Sequence, residues 1–271
     1  MKKTKESTMN EREAFYLNGI LNLTEDKNAK ILVCGGSTLD KDIFEMSGFH
    51  DVTISNLDDR MKGNEYAPFC WKYENAESLS FDADSFDYVV IHAAIHHAYS
   101  PHKVLTEMYR VAKKGILAFE SRDSAILRFF EKSGVTQAYE HAAVYYNDCK
   151  YGGVNNTDIP NYIYRWTERE IEKTIQSYAP YCKHTFVYKY GTAFPSSPGL
   201  ENKGRFKMNV LKFMRPFFSM FVKFFPKQQN LFAFYIEKHT INDSLFPWLR
   251  FDDKENKMIF NKEWGNEKYK K

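Results

Sequence analysis

Hydrophobic and polar positions along the chain fall into short blocks whose period switches between that of a helix and that of a strand. After a polar start, residues 10–23 set Phe15, Ile20 and Leu23 among polar neighbours at helical spacing, which predicts an amphipathic cap helix. The run AKILVCGG, residues 29–36, is apolar and ends in a glycine pair. Ser37 and Thr38 then offer N-caps for a helix through Met46 that stops at Gly48. DVTISN at 51–56, a short run at 69–73 and FDYVVI at 86–91 predict three further strands. Pro101 opens a helix expected to reach about Lys113, and Gly115 leads into the strand ILAFE. Strands separated by helices of this length indicate an α/β fold, a parallel sheet with helices on both faces.

Two stretches do not follow the alternation. Residues 121–165 are longer than an ordinary crossover and carry a helical segment, the pair Gly152 and Gly153, and the polar string NNTDIPNY, so they are expected to be a substrate-binding insertion. A helix over 167–178 follows, with Thr167 and Glu170 in capping-box spacing. The last two strands are expected at 184–190 and 231–237. Between them lies a basic-aromatic segment, residues 205–227, with seven phenylalanines, six basic residues and no acidic one. On a helix Arg205, Lys212, Ser219 and Lys223 fall near one stripe. The wide apolar remainder is expected to pack into the chain's own core or a homodimer partner, with peripheral membrane contact as the second reading.

Composition narrows the function. At 271 residues, 43% of them hydrophobic, the chain suits one elaborated domain, and no internal repeat or linker divides it. Its 23 Phe and 18 Tyr exceed what such a core needs, which leaves rings for a pocket or interface. The net charge of +3 is scattered, so nucleic acid is not expected as a substrate. Cys34, Cys70, Cys149 and Cys182 form no CxxC pair; neither a metal site nor a disulfide framework is expected, and a cytoplasmic location fits. The N-terminus has polar residues where a signal peptide places its apolar stretch, and no uncharged apolar run of about 18 residues occurs.

The chemistry rests on residues 73–120. Asn75-Ala76-Glu77 with Leu79 and Phe81, then Ser85-Phe86-Asp87, then Ile95-His96-His97 with Pro101, then Glu107 with Arg110-Val111 follow one another in order. This stretch strongly resembles the core of the class I S-adenosylmethionine-dependent methyltransferases, of the type 11-like branch. The resemblance covers about 29–122 and extends more weakly to about 238. It implies a Rossmann-like, seven-stranded, mostly parallel sheet with an antiparallel last strand, and S-adenosyl-L-methionine as cofactor across the carboxyl ends of the strands. Gly35, Gly36 and Ser37 are then expected to face its methionine part, Asn56 and Leu57 its ribose, and Asn75 and Ala76 its adenine, with His92 nearby. Three of these depart from the family: Asn56 and Asn75 replace acidic residues, and Ser37 replaces a glycine. Asn56→Asp is therefore expected to leave cofactor binding intact or tighten it.

O-methylation of a small-molecule, sugar or lipid-linked acceptor is the expected reaction. A hydroxyl acceptor needs a base, for which His96 or His97 is the first candidate and His141 the second. The tyrosines and asparagines of the insertion suit a polar cyclic ligand. A nicotinamide-dependent dehydrogenase is disfavoured because CGGSTLD lacks G-x-G-x-x-G spacing. A non-catalytic scaffold or partner subunit of the same fold is the alternative.

Overall fold

The computed structural model describes residues 9–61, 63–134, 136–194, 205–239 and 245–270. In chain order, α1 (Glu11–Leu21), β1 (Ile31–Cys34), α2 (Thr38–Ser47), β2 (Val52–Asn56), β3 (Cys70–Tyr73) and β4 (Phe86–His92) form the first half. Then come α3 (Pro101–Val111), β5 (Ala112–Glu120), α4 (Ala125–Lys132), α5 (His141–Tyr145), α6 (Glu168–Tyr178), β6 (His184–Gly191), α7 (Arg205–Phe224) and β7 (Leu231–Lys238). A hairpin, β8 (Leu249–Asp252) and β9 (Lys257–Phe260), and α8 (Lys262–Tyr269) complete it. Seven strands form one sheet in the order β3-β2-β1-β4-β5-β7-β6. Only β7 runs antiparallel to its neighbours, β5 and β6. The expected fold is the observed one.

Local chemistry explains where the helices start. Asn10 accepts hydrogen bonds from the amides of Arg12 and Glu13 while Glu13 reaches back, a capping box at the head of α1. Ser37 and Asp40 do the same for α2, which ends where Gly48 turns left-handed at φ 76°. Thr167 and Glu170 form the box expected at the head of α6.

Central β1 is buried at all four positions because helices cover both faces of the sheet. On one face α3 and α6 supply Leu105, Met108, Ile171 and Ile175 around Trp166 and Phe234. On the other, α1 and α2 supply Tyr16, Ile20, Ile43 and Phe44 against Val33, Ile54 and Phe119. Each such side chain stabilises the fold by about 1.5–3 kcal/mol.

Three features differ from the sequence-based expectation or lie beyond it. The helix after Pro101 ends at Val111, not near Lys113, because Ala112–Lys114 already belong to β5, with Ala112 opposite Phe86. Glycine at 115 keeps that strand close to β7, since a Cβ there meets the Tyr235 hydroxyl at 2.7 Å and the Ile236 carbonyl at 2.8 Å. The apolar face of α7 is not packed inside: of its side chains described from 213 on, Phe213, Phe217, Met220 and Phe224 are exposed and Val222 is buried. The α6 side of the neighbouring sheet is covered by α6 with Trp166, whereas on the other side α1 leaves Val187 of β6 exposed beside a groove of about 230 Å³. Among its described side chains, Arg215 pairs with Glu11 at 2.6 Å and lies over the Phe194 ring at 4.6 Å, and Phe218 meets the same ring edge-on. No described helix is long and apolar enough to cross a membrane. The C-terminal hairpin and α8 gather around stacked Phe246 and Trp248, with Trp264 beside them; no periodicity in the sequence marks them.

Candidate active site

The chain direction reverses its lateral course between β1 and β4, and the crevice at their carboxyl ends is where open α/β sheets hold ligands. A cavity of about 290 Å³ lies there. Its walls include Gly35, Gly36, Ser37, Asn56, Leu57, Asn75, Ala76 and His97, eight of the ten residues singled out from the sequence. His92 and His96 line a separate pocket of about 40 Å³ behind it.

Each wall is built by local bonding. Past β1 the chain turns through Gly35 at φ +61°, and the Gly36 amide donates to the Ser55 carbonyl at 2.9 Å, tying the turn to β2. A Cβ at Gly35 meets the Ala94 Cβ at 2.5 Å, so a side chain there strains the wall itself rather than simply filling the ligand's space. The Ser37 hydroxyl is spent on the helix: it accepts from the Leu39 amide at 3.2 Å and donates to Asp40 at 2.9 Å.

Asn56 is a four-way tie. Its Nδ2 donates to the Gly36 carbonyl at 2.7 Å and the Tyr66 hydroxyl at 2.8 Å, and its Oδ1 accepts from the Asp58 amide at 3.0 Å and Trp71 Nε1 at 3.3 Å. Two partners of the oxygen can only donate and the Gly36 carbonyl can only accept, which fixes the orientation of the amide. Asparagine rather than aspartate is what this place requires. Asp58, two residues on, pairs with Arg60 at 2.6 Å, which holds its carboxyl below the usual range. Asn75 Oδ1 accepts from the Glu77 amide at 2.9 Å in a local turn.

The insertion closes the cavity. Asn155 Nδ2 donates to the buried Glu77 carboxylate at 3.0 Å, and Asn156 Nδ2 to the Leu57 carbonyl at 3.0 Å. Both asparagines are left-handed, at φ 47° and 60°, a conformation their side chains tolerate. Gly152 and Gly153 complete this wall. The sequence places them in the insertion without placing them on the cofactor side; the contacts span 78 and 99 residues and leave no local signal.

The histidines differ sharply. His92 stacks on Tyr16, with centroids 4.2 Å apart and planes 6° apart, and burial keeps its pKa below the ordinary value. His96 uses both ring nitrogens: Nδ1 lies 2.8 Å from Glu120 and Nε2 3.3 Å from Glu140. Burial opposes its charge, but Glu120 and then Glu140 outweigh that and raise its pKa to about 10. His97, on the cavity wall, has Nε2 3.3 Å from the same Glu140 oxygen and Nδ1 3.4 Å from the Gly153 carbonyl. Burial and the neighbouring His96 lower its pKa. Glu140, against the cost of burial, is held at about 2 by His96 and His97. Exposed His141 and the pairs Arg122 with Glu168 and Asp123 with Arg128 lie away from the cavity walls. Glu120 and Glu140 are functional candidates that the sequence alone does not single out; Glu120 closes β5 at the ligand edge of the sheet, whereas Glu140 lies in the insertion with no local signal.

Residues 34–119, the strands and turns that build most of these walls, match the family model described as a methyltransferase domain. Residues 34–119 thus carry a methyltransferase domain, set in a seven-stranded, mostly parallel sheet. S-adenosylmethionine is the cofactor of this methyltransferase. In fold it is similar to a chain of the complex between the Haloferax volcanii Trm112 methyltransferase activator and a methyltransferase, at 13% identity and a TM-score of 0.56 over 88% of this chain and 93% of that one. It is also similar to an S-adenosylmethionine-dependent methyltransferase from Mesorhizobium loti, at 10% identity and a TM-score of 0.50 over 84% and 98%. A search of curated proteins finds no significant match.

Proposed function

We propose that this methyltransferase O-methylates a small-molecule, sugar or lipid-linked acceptor, with the cofactor in the 290 Å³ cavity and the acceptor at its His97 end. The observation that carries the reading is the run of cavity walls: the Gly35–Ser37 turn for the methionine part, Asn56 and Leu57 for the ribose, Asn75 and Ala76 for the adenine, closed by Gly152–Asn156. The acceptor oxygen attacks the methyl carbon as the carbon–sulfur bond breaks, its electron pair neutralising the sulfonium and leaving S-adenosylhomocysteine. Closure by the insertion holds the reactants in line and excludes water.

The hydroxyl proton must leave, and the cluster of His96, His97 and Glu140 is the group available to handle it. Of the three, His97 lines the cavity, and burial with the neighbouring His96 favours its neutral, proton-accepting form, whereas Glu120 and Glu140 hold His96 charged. His97→Gln is expected to lower kcat at least tenfold with S-adenosylhomocysteine affinity unchanged. Unchanged turnover in this variant, measured with methyl-labelled cofactor on a hydroxyl acceptor found by screening, overturns the assignment.

The exposed phenylalanines of α7 favour peripheral contact with an anionic membrane over internal packing, and that suits a lipid-linked acceptor. The four unpaired cysteines are in keeping with work in the cytoplasm.

A further inference from the structure

Resting on that reading of the acceptor end, we propose that His96, His97 and Glu140 are the ligands of a divalent cation of the zinc type. One nitrogen from each ring and one carboxylate oxygen lie within 4.8 Å of one another. Both Nε2 atoms are 3.3 Å from the same Glu140 oxygen. That is long for a charge-assisted hydrogen bond, about 2.7–2.9 Å. It is close to the ligand-to-ligand edge of a tetrahedral site, about 3.3 Å for bonds of about 2.0–2.1 Å.

The atoms behind the ligands are those such a site uses. Metal-bound histidines donate their other N–H to a carboxylate or a carbonyl, which fixes the ring and the tautomer. His96 Nδ1 faces Glu120 at 2.8 Å, and His97 Nδ1 faces the Gly153 carbonyl at 3.4 Å. Glu120 is itself anchored by the Ile95 amide at 2.9 Å.

Without a cation the arrangement of His97 has a fault. Both of its nitrogens face acceptors, and a neutral imidazole has one N–H, so one contact sets a lone pair against an oxygen. A cation on Nε2, with the proton on Nδ1 towards Gly153, satisfies both. Asn161 points the same way. It is 2% exposed and its Nδ2 donates to Glu140 at 3.3 Å and to the His96 carbonyl at 3.1 Å, yet its buried Oδ1 has no partner among the described residues. Water on a cation beside Glu140 is a donor of the kind it lacks.

Two imidazoles and one carboxylate suit zinc and its transition-metal neighbours rather than magnesium or calcium, which prefer oxygen. Three protein ligands leave a fourth position open, the mark of a catalytic rather than a structural site. His97 lines the cofactor cavity, and we place the open position on that side, for the acceptor oxygen. A hydroxyl bound there loses its proton to solvent near neutral pH, and the resulting metal-bound oxygen attacks the methyl carbon.

The test uses the full chain, stripped with chelator and titrated with cobalt(II) alone, read by visible ligand-field absorbance. S-adenosylhomocysteine binding is followed by calorimetry on the same samples. The expected result is one saturable cobalt site, displaced by zinc, that Glu140→Gln and His97→Gln each weaken about 100-fold while nucleoside binding persists. No saturable cobalt absorbance in the unaltered protein, or full-strength binding in both variants, overturns the cation site. Loss of nucleoside binding by the unaltered protein overturns instead the reading it rests on. Circular dichroism identifies a variant that fails to fold, and the other variant then decides.

Discussion

Replacing Asn56 by aspartate isolates the bond that holds the glycine turn against β2. By analogy with related enzymes, the change restores a usual acidic residue and leaves binding intact or tighter. The geometry predicts the opposite. Nδ2 gives the Gly36 carbonyl its donor at 2.7 Å, and a carboxylate sets an oxygen there instead. Tyr66, 2.8 Å away, can turn its hydroxyl to the new carboxylate, but then no longer offers it, at 3.5 Å, to Gly36. A half-buried carbonyl that loses its donor costs about 1–3 kcal/mol, and facing a negative oxygen puts the loss in the upper part of that range, about 2–3 kcal/mol. For a chain of this size that lowers Tm by about 5–10 °C. The sign with pH is a second signature. Once protonated, the introduced carboxyl can donate to Gly36, so folding raises its pKa; the cost is absent in acid and complete near neutrality. Thermal unfolding of both proteins by circular dichroism at pH 4 and pH 7, with nucleoside affinity at pH 7, tests this. An Asn56→Asp protein as stable as the parent at pH 7, or tighter in binding, refutes the reasoning.

Two further outcomes follow from other parts of the fold. Arg122 and Glu168 form a bidentate pair with a shortest distance of 2.8 Å, and Glu168 also receives the Tyr190 hydroxyl and Lys227. Although burial works against its charge, Arg122 and then Tyr190 bring Glu168 from 4.5 to about 2. Its contribution is therefore present above pH 4.5 and lost as pH falls towards 2; Arg122→Met should destabilise by about 3 kcal/mol at pH 7, and by progressively less across that window, in denaturant unfolding at each pH. Sedimentation with anionic liposomes should show salt-sensitive binding that Phe217→Glu and Phe224→Glu together abolish; equal sedimentation of parent and variant contradicts a membrane role for α7.

How much of this could be read from the chain depends on how local the cause is. The strands, the Thr167 capping box and the turn at Gly35 and Gly36 are written in neighbouring residues, and the sheet order comes with the pattern at 73–120. Most of the cavity wall was legible for the same reason. The roles inside the wall were not: Asn56 and Ser37 spend their polar atoms on backbone and side-chain partners of the protein itself, which only the three-dimensional arrangement reveals. Glu140 meets His96 from 44 residues away, across an insertion with no periodic signal. The apolar pattern of α7 suits a core or a homodimer partner alike, and no residue in 205–227 records that its side chains described from 213 on stay mostly exposed on this chain. Ala112–Lys114 reads as the end of a helix by composition and is drawn into β5 by pairing with β4.

The central claim is that the cofactor occupies the cavity between the glycine turn, β2 and the insertion. Amide hydrogen exchange of the unaltered chain with and without saturating S-adenosylhomocysteine tests it most directly, because each wall lies in a separate peptide. The account predicts slower exchange in peptides covering 35–38, 56–58, 75–77 and 152–156, with α7 unchanged. No protection in those four segments, or protection confined to other parts of the chain, contradicts it.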